Sequence, residues 1–120
     1  MPRTVLVVDD HQSFRRFARR LLETAGFNVL DEAADGASAL EAARRLRPDV
    51  VLLDVLLPDT TGFDVAELLS AEPSGPLVVL TSSRRAGDFS SRLERSSARG
   101  FITKSELTPA ALTAMIGEVA

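Results

Sequence analysis

Three carboxylates, a hydroxyl and an ammonium follow directly on short apolar runs in this 120-residue chain. Asp9 and Asp10 come after Val5-Leu6-Val7-Val8, and Asp54 after Val50-Val51-Leu52-Leu53. Thr81, with Ser82 and Ser83 behind it, comes after Leu77-Val78-Val79-Leu80, and Lys104, the only lysine, after Gly100-Phe101-Ile102-Thr103. Singly, each has an ordinary use: an Asp pair caps a helix, an Asp before a Pro-Gly loop turns the chain, a Thr bonds to backbone, and a lysine sits in water. Gathered in one pocket they mean something else. Like charges a few ångströms apart repel, and one pKa is driven up unless cations offset them. Lys104 supplies one positive charge. A divalent metal would supply the rest, and ligation by carboxylates and water suits Mg²⁺, a hard ion that also binds phosphate oxygens.

The elements that would gather these residues follow from the period of the apolar pattern. The four runs Val5–Val8, Val50–Leu53, Leu77–Leu80 and Gly100–Thr103, with a weaker Phe27–Leu30, predict five strands, and their continuous apolar character predicts burial on both faces. Between them the period becomes helical. Phe14, Phe17, Ala18, Leu21, Leu22 and Ala25 form one stripe, closed by Gly26 in a left-handed cap. Asp35-Gly36 starts a helix over Ala37–Leu46 that Pro48 closes, and Phe63–Leu69 predicts a short third helix. The serine- and arginine-rich stretch from Arg85 to Ala98 offers only Phe89 and Leu93 as a stripe and predicts a weak, mobile helix. Thr108 caps a last helix with Pro109 at its first position, Leu112, Met115, Ile116 and Val119 on its apolar face, and Gly117 inside it. Strands alternating with helices predict an α/β fold, a doubly wound parallel sheet covered on both faces. Ligands of such sheets bind beyond the carboxyl ends of the strands, where all five chemical residues lie.

Composition closes off other chemistry. The chain has no cysteine and one histidine, His11, so disulfides, thiolate metal sites, cysteine nucleophiles and polyhistidine clusters are excluded. No apolar run approaches the roughly 20 residues of a membrane span, and the start is too short for a signal peptide, which predicts a cytoplasmic protein that does not contact a membrane. A net charge of −3 argues against nucleic acid bound by the chain itself. Arg15, Arg16, Arg19 and Arg20 form a basic face on the first helix, either solvated or a docking surface. His11 follows the acidic pair and is expected as a partly exposed loop residue rather than as part of the pocket.

The ordered set of motifs resembles the receiver domain of bacterial two-component response regulators. It comprises Asp9-Asp10, Asp35-Gly36, Asp54 with Pro58 and Gly62 in a D-x3-P-x3-G arrangement, Thr81, and Gly100-Phe101-Ile102-Thr103-Lys104. Asp9-Asp10-His11 and Lys104-Ser105-Glu106-Leu107-Thr108 look most like receivers that precede helix-turn-helix output domains. The resemblance implies one receiver domain over residues 1–120, five strands and five helices in the flavodoxin-like order 2-1-3-4-5, and a signalling phosphoprotein rather than an enzyme. By the same resemblance, Asp54 is the phosphoacceptor of a phosphorelay. Asp10 and Asp54 bind Mg²⁺ directly, Asp9 binds it through water, and the Leu56 backbone carbonyl completes the protein ligands. Lys104 clamps the phosphoryl oxygens and Thr81 bonds to the attached phosphoryl group. Thr81 and Phe101 form a switch read out on the fourth-helix, fifth-strand and fifth-helix face. The implied partners are a sensor histidine kinase or histidine phosphotransfer protein, and a downstream protein or a DNA-binding output domain.

Three positions depart from the common pattern: Ser105 where proline is frequent, Phe101 where tyrosine is frequent, and apolar Leu56 two residues past Asp54. Ser105 keeps open a degenerate receiver acting as a phosphorylation-independent interaction module, although all five chemical positions are filled. A flavodoxin-like electron carrier is disfavoured by the acidic pair after the first strand and by the absence of Trp and Tyr. A Mg²⁺-dependent aspartyl phosphatase would place its nucleophile after the first strand and carry a cap domain.

Overall fold

The computed structural model describes residues 3–117. Strands β1 (Thr4–Val8), β2 (Asn28–Ala33), β3 (Val50–Asp54), β4 (Leu77–Ser82) and β5 (Gly100–Thr103) form one parallel sheet in the order β2-β1-β3-β4-β5. Helices α1 (Gln12–Thr24), α2 (Gly36–Leu46), α3 (Gly62–Ser70), α4 (Ser90–Arg95) and α5 (Pro109–Ile116) cover it on both sides. The expected α/β doubly wound sheet and its strand order are therefore what the chain adopts.

Strand alternation divides the core into two layers. Val5, Val7, Val50, Leu52 and Val79 pack with Ala18 and Leu22 of α1 and Leu112 and Ile116 of α5. Leu6, Val8, Val51, Leu53 and Leu80 face the other way, against Ala39 and Ala43 of α2 and Phe63 and Leu69 of α3. The central strands read as unbroken apolar runs because both of their faces are buried.

Several local expectations are corrected. β2 begins at Asn28 rather than Phe27 and continues through the polar Asp31 and Glu32 to Ala33; it is an edge strand, so its pairing with β1 does not need an apolar run. Phe27 instead helps to close α1, its amide donating to the Leu22 carbonyl at 3.0 Å beside Gly26 at φ 98°. Phe17 and Ala25, read as part of the buried stripe of α1, are exposed, because only Ala18 and Leu22 of that helix lie fully against the sheet. α2 ends on Arg47 in the left-handed region (φ 49°), one residue before Pro48. The helix expected between Arg85 and Ala98 is a 3₁₀ turn over Ala86–Phe89 and the six residues of α4, with no buried side chain in either. Gly117 does not sit inside α5; it ends the helix at φ 82°, and Val119 lies outside the described residues.

Candidate functional site

All five strand-end residues stand on the carboxyl edge of the sheet. Asp9 follows β1 directly, its amide donating to the Ala33 carbonyl of β2 at 3.0 Å. Asp54 is the last residue of β3 and pairs in register with Thr81 of β4, so these two side chains project from neighbouring strands. Lys104 begins a one-turn 3₁₀ segment directly after β5.

Asp9 is fully buried and Asp54 is 4% exposed. The Lys104 ammonium lies 2.5 Å from Asp9 Oδ2 and 3.4 Å from Asp54 Oδ2. It rests 4.6 Å from the centroid of Phe14, whose ring thus forms a cation–π platform. The contact with Asp9 is an ion pair without hydrogen-bond direction, so Asp9 Oδ2 keeps unused acceptor capacity. Asp54 Oδ1 accepts from the Leu56 amide at 3.4 Å. Burial, then the neighbouring Asp9 charge, push the Asp54 carboxyl up to about 6, against the opposing pull of Lys104 and the Leu56 amide. The repulsion expected from the residue types is therefore present, and one lysine does not cancel it.

Two observations fit a cation here. Buried Thr81 Oγ1 has no hydrogen-bond partner, although buried polar atoms normally do, and Asp9 Oδ2 is met by the Lys104 ammonium alone. Donor atoms of Asp9, Asp10, His11 and Asp54 also all lie within 4.8 Å of one another. Carboxylates that are short of positive charge, in a pocket with an open mouth, suit a divalent ion bound partly through water.

The loop after β3 shapes the mouth. A Cβ at Gly62 would collide with the Asp54 carbonyl oxygen, so only glycine lets α3 start this close behind the phosphoacceptor candidate. The Gly62 amide donates to the Val55 carbonyl at 2.7 Å. Asp59, in the same loop, accepts from the Gly36 and Ala37 amides at 2.8 and 3.0 Å, which lowers its pKa and fastens the loop to the start of α2. Asp35 caps that helix as expected, accepting from the Ser38 amide. Leu56 is half-exposed at the mouth. The Lys104–Ser105 peptide is trans.

The first-helix arginines divide. Arg15 donates to the Asp9 carbonyl at 2.7 Å and to Glu32 at 3.2 Å, while Arg19 donates to Glu32 at 2.8 Å and to the Val29 carbonyl at 3.2 Å. These two tie α1 to β2 and to the acidic turn. Arg16 and Arg20 remain exposed on either side of exposed Phe17. Near β5, Phe101 is half-buried against Phe89, which contacts Phe63 in turn; the ring centroids are 6.3 and 5.9 Å apart, and Arg92 lies over Phe63. Sequence reasoning missed Arg15, Asp59 and the platform role of Phe14. Their signals, an arginine on a helix face, an acid in a loop and an aromatic in a stripe, do not reveal partners distant in sequence. A concavity of about 570 Å³ beside Arg44, Arg47 and Pro76 opens at the other end of the sheet and contains none of the strand-end residues.

The family described as response regulator receiver domain matches residues 5–117. The transcriptional regulatory protein PdtaR of Mycobacterium tuberculosis is 32% identical over 133 residues, covering 100% of this chain and 64% of the relative. The DNA-binding response regulator MtrA of Mycobacterium leprae is 40% identical over 104 residues, covering 87% of this chain and 45% of the relative. Among solved structures, the signal receiver domain of the response regulator NarL from Mycobacterium tuberculosis superposes with a TM-score of 0.86 at 34% identity, covering 98% of both chains. The chain belongs to the response regulator receiver domain family and is a signalling domain of the two-component type. It spans between about a quarter and two-thirds of the length of the curated relatives it matches. Among the described residues, no helix is long and apolar enough to cross a membrane.

Proposed function

We propose that the chain is a phosphorylation-controlled switch that accepts a phosphoryl group from a phosphohistidine onto Asp54. The observation that carries this reading is buried Asp54 beside Asp9, with the Lys104 ammonium reaching both carboxylates and the unpartnered Thr81 hydroxyl on the adjoining strand. An Asp54 carboxylate oxygen attacks phosphorus in line with the P–N bond. That bond breaks, its electron pair leaves with the donor imidazole, which takes up a proton, and Asp54 becomes an acyl phosphate. Asp9, Asp10 and Asp54, with the Leu56 carbonyl, would hold Mg²⁺. When bound, the ion neutralises phosphoryl oxygens and aligns the donor with the nucleophile. Lys104 neutralises a further oxygen, and Phe14 and Asp9 keep its ammonium in place for this.

Once the acyl phosphate has formed, the Thr81 hydroxyl donates to it and moves toward Asp54. Phe101 turns into the space behind it, and the change is read out at α4, β5 and α5. With no hydroxyl on Phe101, this switch works through packing with Phe89 alone. The phosphodonor is a sensor histidine kinase or histidine phosphotransfer protein that docks on the exposed Arg16, Phe17 and Arg20 of α1. The output is a cytoplasmic protein partner or a DNA-binding output domain. Intact-mass spectrometry after incubation with acetyl phosphate tests the reading. The expected result is one phosphoryl adduct that requires Mg²⁺ and is lost in Asp54→Asn. An adduct that survives in Asp54→Asn refutes the assignment.

A further inference from the structure

Among the five helices, α4 alone has no buried side chain; Phe89 at its start and Leu93 rest half-buried on the core. Phe89 lies between Phe63 and Phe101. The other end is held differently. After Arg95 the chain returns to β5 through Ser96, Ser97 and Ala98. Glu67 of α3 reaches this connector across 30 positions of sequence and places both carboxylate oxygens on one serine. The Ser97 amide donates to Oε1 at 2.8 Å and the Ser97 hydroxyl donates to Oε2 at 2.9 Å. The neighbouring amides are satisfied elsewhere: Ser96 donates to the Leu93 carbonyl, Ala98 to the Ser96 hydroxyl oxygen and Arg99 to the Val78 carbonyl. Among the described residues, the clasp is therefore the connector's one hydrogen-bonded link to α3. Glu67 and Ser97 are both exposed, so water competes for both bonds and their net worth is small. A link of this kind adds little to the core, yet it fixes where a weakly seated helix ends.

We propose that the Glu67–Ser97 clasp is an autoinhibitory tether, which holds α4 in its unphosphorylated seat and parts when Asp54 is phosphorylated. The proposal rests on the phosphoacceptor reading above and adds to it the restraint that the switch must release. The coupling runs through Phe101, four positions after Ser97 on the strand that the connector feeds. When Phe101 turns toward Thr81 it leaves Phe89, and the start of α4 loses a stacking partner. The six residues of α4 are then kept in place by Leu93 and by the clasp. The helix re-seats only if the clasp opens. The effect is reciprocal: if phosphorylation favours the open clasp, opening the clasp by mutation favours the phosphorylated arrangement by the same factor. Two exposed hydrogen bonds set that factor at roughly tenfold.

The test records amide spectra of the wild type, Glu67→Ala, Glu67→Gln and Ser97→Ala, each free and titrated with beryllofluoride in the presence of Mg²⁺. Glu67→Ala breaks both bonds, and Ser97→Ala loses the hydroxyl bond alone. The glutamine of Glu67→Gln still accepts from the Ser97 amide and donates to the hydroxyl oxygen, so this variant keeps the clasp. The expected result is that free Glu67→Ala shows the amides of residues 89–103 displaced along the line from free to beryllofluoride-bound wild type. Its beryllofluoride affinity rises roughly tenfold. Ser97→Ala moves part of the way along the same line, and Glu67→Gln stays close to the wild type. Displacement off that line, or beryllofluoride binding that is unchanged or weaker, means that the clasp only braces α4. Either result overturns the tether and leaves the phosphoacceptor reading standing. A wild type that takes up no beryllofluoride overturns both. Circular dichroism confirms folding, and Ser97→Ala decides the question if Glu67→Ala does not fold.

Discussion

Replacing Asp54 with asparagine should stabilise the metal-free protein at neutral pH. The Asp54 carboxyl titrates at about 6 in the folded chain against 3.8 as its ordinary value. Between those values the folded chain holds a proton that the unfolded chain has released, so stability falls as pH rises through the window and stays low above it. The difference of about two pKa units corresponds to about 3 kcal/mol at most. Water at the pocket mouth screens the carboxylate, and the variant gives up the Lys104 contact, so about 1–2 kcal/mol should remain. The asparagine side chain of the variant is neutral at every pH and resembles the protonated acid in shape. The gap between variant and wild type should therefore be absent near pH 4, open between about pH 4 and 6, and hold constant to about pH 8. Thermal unfolding followed by far-ultraviolet circular dichroism suits a chain without Trp or Tyr, and the expected shift at neutral pH is roughly 4–8 °C. Saturating Mg²⁺ should narrow the gap by relieving the wild type. A variant less stable than the wild type at neutral pH, or a gap that does not change with pH, would refute the claim that uncompensated carboxylate charge strains this pocket.

Thr81→Val removes a buried hydroxyl that has no partner, so unfolding in denaturant should show unchanged or greater stability, by up to about 1 kcal/mol. The same variant should lose the change at α4 that beryllofluoride induces in amide spectra of the wild type. Gly62→Ala forces a Cβ against the Asp54 carbonyl and should cost about 2 kcal/mol in the same unfolding assay, with slower phosphorylation by acetyl phosphate. Arg15→Gln breaks the bonds to the Asp9 carbonyl and Glu32 and should cost about 1–2 kcal/mol, with amide shifts concentrated at residues 9–11 and 32. An Arg15→Gln protein of wild-type stability would mean that the clamp is only a solvated pair.

Much of the site could be read from the sequence because the fold turns chain order into position. A parallel sheet buried on both faces needs apolar runs, and the residue after each run is delivered to one edge. Asp9, Asp54, Thr81 and Lys104 could therefore be placed together before any contact was known. What stayed hidden depends on contacts between distant segments. Nothing in an arginine on a helix says that Glu32 of the next strand will neutralise it, and nothing in Asp59 says that it will close on the first amides of α2. β2 was cut short because an edge strand tolerates polar residues that break an apolar run. α4 was overdrawn because a stripe of Phe89 and Leu93 suggested a helix, while the surrounding serines favour turns and leave only six helical residues.

The sheet also acts as a partition. α1 belongs to the layer that holds Ala18 and Leu22, whereas Phe89 and Leu93 pack into the layer on the far side. A protein seated on Phe17 thus covers none of the surface around Arg92, and one seated on α4 leaves the arginines of α1 in solvent. α5 shares the layer of α1, so of the three elements proposed to carry the readout only α4 stands across the wall of strands from the exposed arginines of α1.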